Sequence, residues 1–216
     1  MSSPKKVKSD SAQSDMNSEG LEHLEDIDFT RKSCWTDLQL EVEGKSLYVP
    51  KSHLALVSPV FRLMFKSDFK EKYIDVLPLP GKRYEDVLTF LKCTHPGALV
   101  KVAYDIVQKV LPLAHEYQVQ WLLDDCTKAM IMEMDACTIS QTYFNDYLFT
   151  NLARKYSSIC VMAETYGLNS VINNCVQKLS SVCYKYYKDL IEFKQISIEV
   201  RYRVLCERLD STDKKI

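Results

Sequence analysis

Between Asp37 and Phe65 the spacing of apolar residues changes from alternation to helical spacing, and that switch limits the fold more than any other feature. Leu38, Leu40 and Val42 alternate with Gln39, Glu41 and Glu43, which predicts a half-buried strand. Gly44-Lys45 predicts a two-residue hairpin turn with glycine first, and Leu47 and Val49 resume the alternation on a second strand. Pro50 is expected in the first turn of a helix running through Leu54 to Val57. Ser58-Pro59 then supplies an N-cap hydroxyl and a first-turn proline, at a position where a missing N–H costs nothing. Phe61, Met64 and Phe65 mark the inward face of this second helix.

A third apolar run, Tyr73 to Leu79, is closed by Pro80-Gly81 and predicts a strand. Tyr84, Val87, Leu88 and Leu91 then take helical spacing, ended by His95-Pro96-Gly97. Ile106, Val107, Val110, Leu111, Ala114 and Tyr117 form a buried helical stripe. Pro112 inside it predicts a kink or a fresh start. Strands early and helices after them make the class α+β. The pattern Ala114, Tyr117, Val119, Leu122, Cys126 returns at constant offset as Ala163, Tyr166, Leu168, Val171, Cys175. Each copy reads as a helix end, a tight turn and a second helix packing back. The echo is either a duplication or the recurrence of a corner common to stacked helical hairpins. Helical signals continue almost throughout Asp135 to Leu209.

The chain's 216 residues are 46% hydrophobic, enough for a core without disulfides or metals. A formal net charge of -1 gives no overall drive toward nucleic acid or an anionic membrane. No apolar run approaches a membrane span, and the polar N-terminus is not expected to be a secretory signal. Eight cysteines, mostly within apolar helical patterns, read as small core hydrophobes in a reducing compartment, cytoplasmic or nuclear. Residues 1–20 are expected to be disordered, and Leu21, Leu24, Ile27 and Phe29 among four acids suggest a short amphipathic lead-in. Lys5-Lys6-Val7-Lys8 has the make-up of an import signal or of a solvated charge run.

Signs of chemistry are missing. There is no phosphate-binding glycine loop, no G-x-S-x-G, no H-E-x-x-H and no C-x-x-C. The nearest ligand set, His115, Cys126 and Cys137, is too dispersed to read as a zinc site. No cofactor, metal or catalytic residue is expected, and the chain does not read as an enzyme.

The stretch Asp37-Leu38-Gln39-Leu40-Glu41-Val42, then Val49-x-Lys51-x-x-Leu54-Ala55-x-x-Ser58-Pro59-Val60-Phe61-x-x-Met64-Phe65, closely resembles the opening of BTB/POZ domains. Leu113-Ala114-x-x-Tyr117-x-Val119-x-x-Leu122-x-x-x-Cys126 looks like that family's closing helical hairpin. The likeness covers about residues 31–133 and is strongest to the branch in which the unit accompanies MATH domains or stands nearly alone. Residues 137–216 resemble, more weakly, the all-α BACK-type extension, and residues 1–30 are tail and lead-in. Two positions depart from the family: Pro50 replaces a frequent histidine, and Thr94-His95-Pro96-Gly97 replaces the usual aromatic-Thr-Gly turn.

The resemblance implies homodimerisation through the N-terminal segment and first helices, and an adaptor that brings a protein substrate to a cullin-3 ubiquitin ligase; neither nucleic acid nor membrane is expected as partner. In such adaptors an apolar-x-Glu motif after the second helix contacts the cullin; Phe69-Lys70-Glu71 falls there. Phe69 could instead pack under the third strand with Glu71 solvated. Tyr117, at a corner the family also uses for the cullin, is a second candidate, or a core side chain. Trp121 beside it is an interface aromatic or merely half-buried. Asp37 and Lys51 occupy positions that form a charged pocket in some BTB dimers; a strand-start aspartate and a snorkelling lysine fit them equally. The alternative function is a self-associating scaffold or transcriptional co-regulator that never touches a cullin.

Overall fold

A computed structural model describes residues 28–66, 74–98, 100–137 and 146–213. Strands β1 (Leu38–Val42) and β2 (Lys45–Val49) form an antiparallel hairpin, and β3 (Val76–Pro78) lies parallel on the other side of β1. The sheet order is therefore β2-β1-β3. The inward residues Leu38, Leu40, Val42, Leu47 and Val49 are all buried, as the alternation requires. The third strand is shorter than its apolar run, and Tyr73 lies outside the described residues.

The hairpin turn sits one residue earlier than the sequence suggests. Lys45 pairs with Val42, so Glu43 and Gly44 make the turn, with φ of 52° and 72°. Two left-handed residues match the natural strand twist in a tight hairpin, at a cost in strain for glutamate. That cost is offset locally, because the Glu43 carboxylate accepts the Tyr84 N–H at 2.9 Å. The bond caps α3 (Tyr84–Thr94), whose own preceding residue, Arg83, supplies no side-chain cap.

Helices α1 (Lys51–Val57) and α2 (Pro59–Lys66) follow β2 directly. Pro50 stands just before α1, at the cap position, rather than inside its first turn. Proline offers no side-chain acceptor, and Asp37 supplies one from a distance: its Oδ1 accepts the Lys51 N–H at 2.6 Å. Ser58 is the cap of α2 as expected. Its hydroxyl accepts the Phe61 N–H at 3.1 Å and donates to the Tyr117 carbonyl at 2.6 Å.

Helix α4 (Tyr104–Glu116) runs unbroken through Pro112, so the expected kink or fresh start does not occur. The carbonyl deprived of its donor belongs to Gln108, on the exposed face, where water can satisfy it. Val110, Leu111, Leu113 and Ala114 hold the helix from the buried side. Helix α5 (Gln120–Ala136) turns back on α4. A second helical hairpin, α6 (Asp146–Thr165) and α7 (Asn169–Ser181), precedes the short α8 (Ile191–Gln195) and a last helix, α9 (Ile198–Asp213).

The internal echo is a geometric repeat. In the first corner Val119 N–H bonds the Ala114 carbonyl at 2.9 Å; in the second, Leu168 N–H bonds the Ala163 carbonyl at 2.8 Å. Gln118 and Gly167 take the left-handed conformation at matching places, with φ of 53° and 67°. Ala114, Leu122 and Cys126 are fully buried, as are Ala163, Val171 and Cys175. The tyrosines diverge: Tyr117 is 6% exposed in the core, whereas Tyr166 packs edge-on against His115, centroids 5.4 Å apart.

The two hairpins are clipped together at the end of α5. Tyr156 O–H donates to the Met134 carbonyl at 3.3 Å, and the Cys175 thiol meets the Met134 sulfur at 3.5 Å. Lys178 pairs with Asp135 at 2.6 Å, and Lys155 pairs with Glu133 while lying over the Tyr104 ring. One continuous buried cluster runs from Phe29 to Val204.

Ser58 joins a helix start to a remote corner, so its loss should be felt globally. We expect Ser58→Ala to lower unfolding free energy by about 2–3 kcal/mol, from a lost cap and a buried carbonyl left without its donor. Urea denaturation checks this; a change within experimental error would show the bond to be dispensable.

Candidate interaction surface

The sequence-derived candidate residues fall in four different settings. Phe69 and Glu71 lie outside the described residues, between α2 and β3. Tyr117 is buried, its ring stacked on Phe61 at 4.4 Å and tilted against Phe90 at 5.8 Å. Burial holds its hydroxyl well above the usual tyrosine range. In this fold Tyr117 therefore presents a backbone carbonyl to Ser58 and an aromatic face to α2 and α3. Asp37 and Lys51 are brought together as carboxylate and backbone N–H, with Asp37 exposed and Lys51 half-buried. Trp121 is 43% exposed, between the two readings open to it.

The first helices were expected to carry the dimer contact, but the outward side chains that could make it were not singled out from the sequence. Leu56 on α1 and Leu63 on α2 are 75% and 63% exposed, and Trp35 before β1 is 82% exposed. Arg62, between the leucines, donates to the carbonyls of Ala55 at 2.9 Å and Leu56 at 3.1 Å, tying the end of α1 to α2. Large apolar side chains on a rigid, tied helical pair are what a protein-binding surface needs. The signal was available: Leu56 and Leu63 each follow an inward residue, Leu54 and Phe61, by two positions, which on a helix is about 200° round, on the opposite face.

A groove of about 750 Å³ opens between the end of α3, the connection to α4, and α5. Its wall is mostly apolar, with Val100, Val102, Trp121, Ala129 and Met132, and it also carries Lys101, Asp125, Lys128 and His95. His95 is one of two neutral histidines in contact. The rings of His53 and His95 are 4.9 Å apart, and His95 meets Phe29 edge-on at 5.7 Å. His95 Nδ1 accepts the Gly97 N–H at 3.1 Å, so its proton sits on Nε2. His53 Nε2 lies 3.3 Å from Thr94 Oγ1, whose hydroxyl donates to the Leu91 carbonyl; His53 is therefore the donor. Burial, then the neighbouring His95, push His53 down to about 4, and burial lowers His95.

Cys126 is fully buried, and burial pushes its thiol up to about 12; Cys93 is pushed to about 11. Neither is a thiolate at neutral pH, so neither offers a nucleophile. All eight cysteines are unpaired thiols. Among the described residues no group of three His, Cys, Asp or Glu side chains is placed to hold a metal ion. His115, Cys126 and Cys137 are separated by role: His115 packs on Tyr166, Cys126 is core, and Cys137 accepts from Lys155 at 3.2 Å. No helix among the described residues is long and apolar enough to cross a membrane.

The sheet, the paired helices and the closing corner coincide with one known family. The model of the BTB/POZ domain family matches residues 27–133. The chain carries a BTB/POZ domain. Its relatives carry the same domain beside different companions. BTB and MATH domain-containing protein 38 of Caenorhabditis elegans is 30% identical over 117 residues, which are 54% of this chain and 30% of that protein. Kelch-like protein 24 of Homo sapiens is 29% identical over 125 residues, 56% of this chain and 21% of that protein. The chain thus spans under a third of the length of these curated relatives. BTB/POZ domains are protein-interaction modules, generally without catalysis, and the helical extension from α6 to α9 follows the matched stretch.

The histidine pair gives a pH dependence of known sign. A folded-state pKa of about 4, below the ordinary 6.5, means that the unfolded chain takes up the proton first. His53 therefore contributes stability that is complete above about pH 6.5 and is lost as pH falls toward 4. His53→Gln should flatten the fall in urea midpoint across that window; an unchanged slope would assign the acid sensitivity elsewhere.

Proposed function

We propose that this chain is a homodimeric BTB adaptor that recruits a protein substrate to a cullin-3 ubiquitin ligase. The observation that carries the dimer is the exposed apolar face of α1 and α2, at Leu56 and Leu63, on a domain whose relatives are interaction proteins. Burying that face between two copies removes large apolar side chains from water, the main favourable term in obligate association. Asp37 and Lys51 would be drawn into such an interface, where their charges offset one another.

The cullin contact falls to Phe69 and Glu71. Tyr117 is engaged in the core, so its side chain has no free face to offer a scaffold. An aromatic anchor with a carboxylate at its rim suits a pocket that reads one apolar group and one directional polar contact. The extension would hold substrate or position it, and the transfer chemistry belongs to the recruited ligase. The compartment would be cytoplasm or nucleus, where eight free thiols are stable.

The burial of Tyr117 also favours the second reading, a self-associating scaffold or transcriptional co-regulator that binds no cullin. Co-purification with the cullin-3 N-terminal domain separates them. Phe69→Asp with Glu71→Lys should abolish capture while the dimer persists; wild-type protein that fails to capture the cullin would leave the scaffold reading standing.

A further inference from the structure

The end of α5 and the middle of α6 meet at a thiol and an amine. Cys137 closes α5 and is half-buried; Lys155 lies on α6, 18 positions further on. Lys155 Nζ donates to Cys137 Sγ at 3.2 Å. Groups poised to react stand about 3–3.5 Å apart, so nitrogen and sulfur are already within that range.

Lys155 is held there from two other sides. Its ammonium pairs with Glu133, one turn before Cys137 on α5, and lies 5.5 Å from the centre of the Tyr104 ring on α4. The Lys155 and Glu133 side chains are 31% and 32% exposed, so a small solute reaches the cluster. Most other thiols are closed to one: Cys126, Cys160 and Cys175 are fully buried and Cys93 is nearly so.

We propose that Cys137 and Lys155 form a modification site, at which a hydroperoxide oxidises the thiol and the lysine amine captures the oxidised sulfur as a sulfenamide. In the first step Cys137 and hydrogen peroxide give the sulfenic acid and water; the sulfur is oxidised as the peroxide O–O bond breaks. In the second, Lys155 passes its ammonium proton to Glu133, its nitrogen lone pair attacks Sγ, and the S–O bond breaks. The departing hydroxide takes an N–H proton and leaves as water, and Cys137 Sγ is then bonded to Lys155 Nζ. The Glu133 carboxylate, ahead of the opposing effect of burial, holds Lys155 above the ordinary lysine range. The amine is therefore freed only by handing a proton to that carboxylate, and the close approach to Sγ offsets its scarcity.

The bridge is reversible. One thiol attacking sulfur restores the amine and leaves a mixed disulfide, and a second thiol returns Cys137 to its reduced form. Helix α5 closes the BTB unit and α6 opens the extension. The bond thus adds a covalent tie to the ion pairs already joining them, for as long as oxidant outlasts the thiol pool.

Peptide mass mapping of the full chain after brief treatment with hydrogen peroxide tests this, with free thiols blocked before digestion. The wild type should yield a linked pair of peptides, one holding Cys137 and one holding Lys155, about 2 Da lighter than the two unlinked. Dithiothreitol should release both with Cys137 and Lys155 unmodified. Lys155→Arg keeps a cation beside Glu133 but removes the attacking amine, so the linked pair should be lost while Cys137 is still oxidised. Cys137→Ser, a one-atom change at a half-buried position, carries the comparison should the arginine variant prove unfolded by circular dichroism. A wild-type Cys137 that stays unoxidised, that ends as a sulfinic acid or disulfide with Lys155 free, or a linked pair that survives Lys155→Arg, overturns the proposal.

Discussion

The Ser58 hydroxyl is the point on which the BTB unit turns. It is fully buried and completes two jobs with one oxygen, accepting the Phe61 N–H at the start of α2 and donating to the Tyr117 carbonyl at the α4–α5 corner. Both partners would otherwise be buried polar groups without a mate, and that liability makes the bond worth more than its average. The stack of Phe61, Tyr117 and Phe90 surrounds it with aromatic area. A helix start, a corner and a third helix are thereby fixed relative to one another, and the exposed side of α1 and α2 becomes a rigid surface.

The second helical hairpin repeats the geometry of the first but uses its tyrosine differently. Tyr166 lies edge-on against His115 of the first corner, whereas Tyr117 is buried in the core. Met134, Tyr156 and the Lys178–Asp135 pair join the hairpins through the last turn of α5. The extension is thus packed against the BTB unit.

Much of this was legible in order and not in register. The alternation of Leu38 to Val49, the Ser58-Pro59 cap and the echoing corners all rest on local spacing, and local spacing is what a sequence displays. The hairpin turn slipped by one because Glu43, a poor left-handed residue, is held there by the N–H of Tyr84, a contact no local pattern reveals. Pro50 was misplaced for the same reason: the cap of α1 comes from Asp37, across the hairpin. Pro112 broke a local rule that buried neighbours on both sides override. The His53–His95 pair and the Lys155 clip gave no sequence signal, since each joins helices distant along the chain. The site was harder still. Phe69 and Glu71 lie outside the described residues, Tyr117 is buried against Phe61 and Phe90, and the exposed leucines stand out only once the inward face of each short helix is known.

The proposed dimer buries the α1–α2 face between two copies. Sedimentation equilibrium of the 25.0 kDa chain at low concentration tests it most directly. The expected result is twice the chain mass, reverting to the single-chain mass when Leu56 and Leu63 are both changed to glutamate. A wild-type chain that stays single at high micromolar concentration would contradict it.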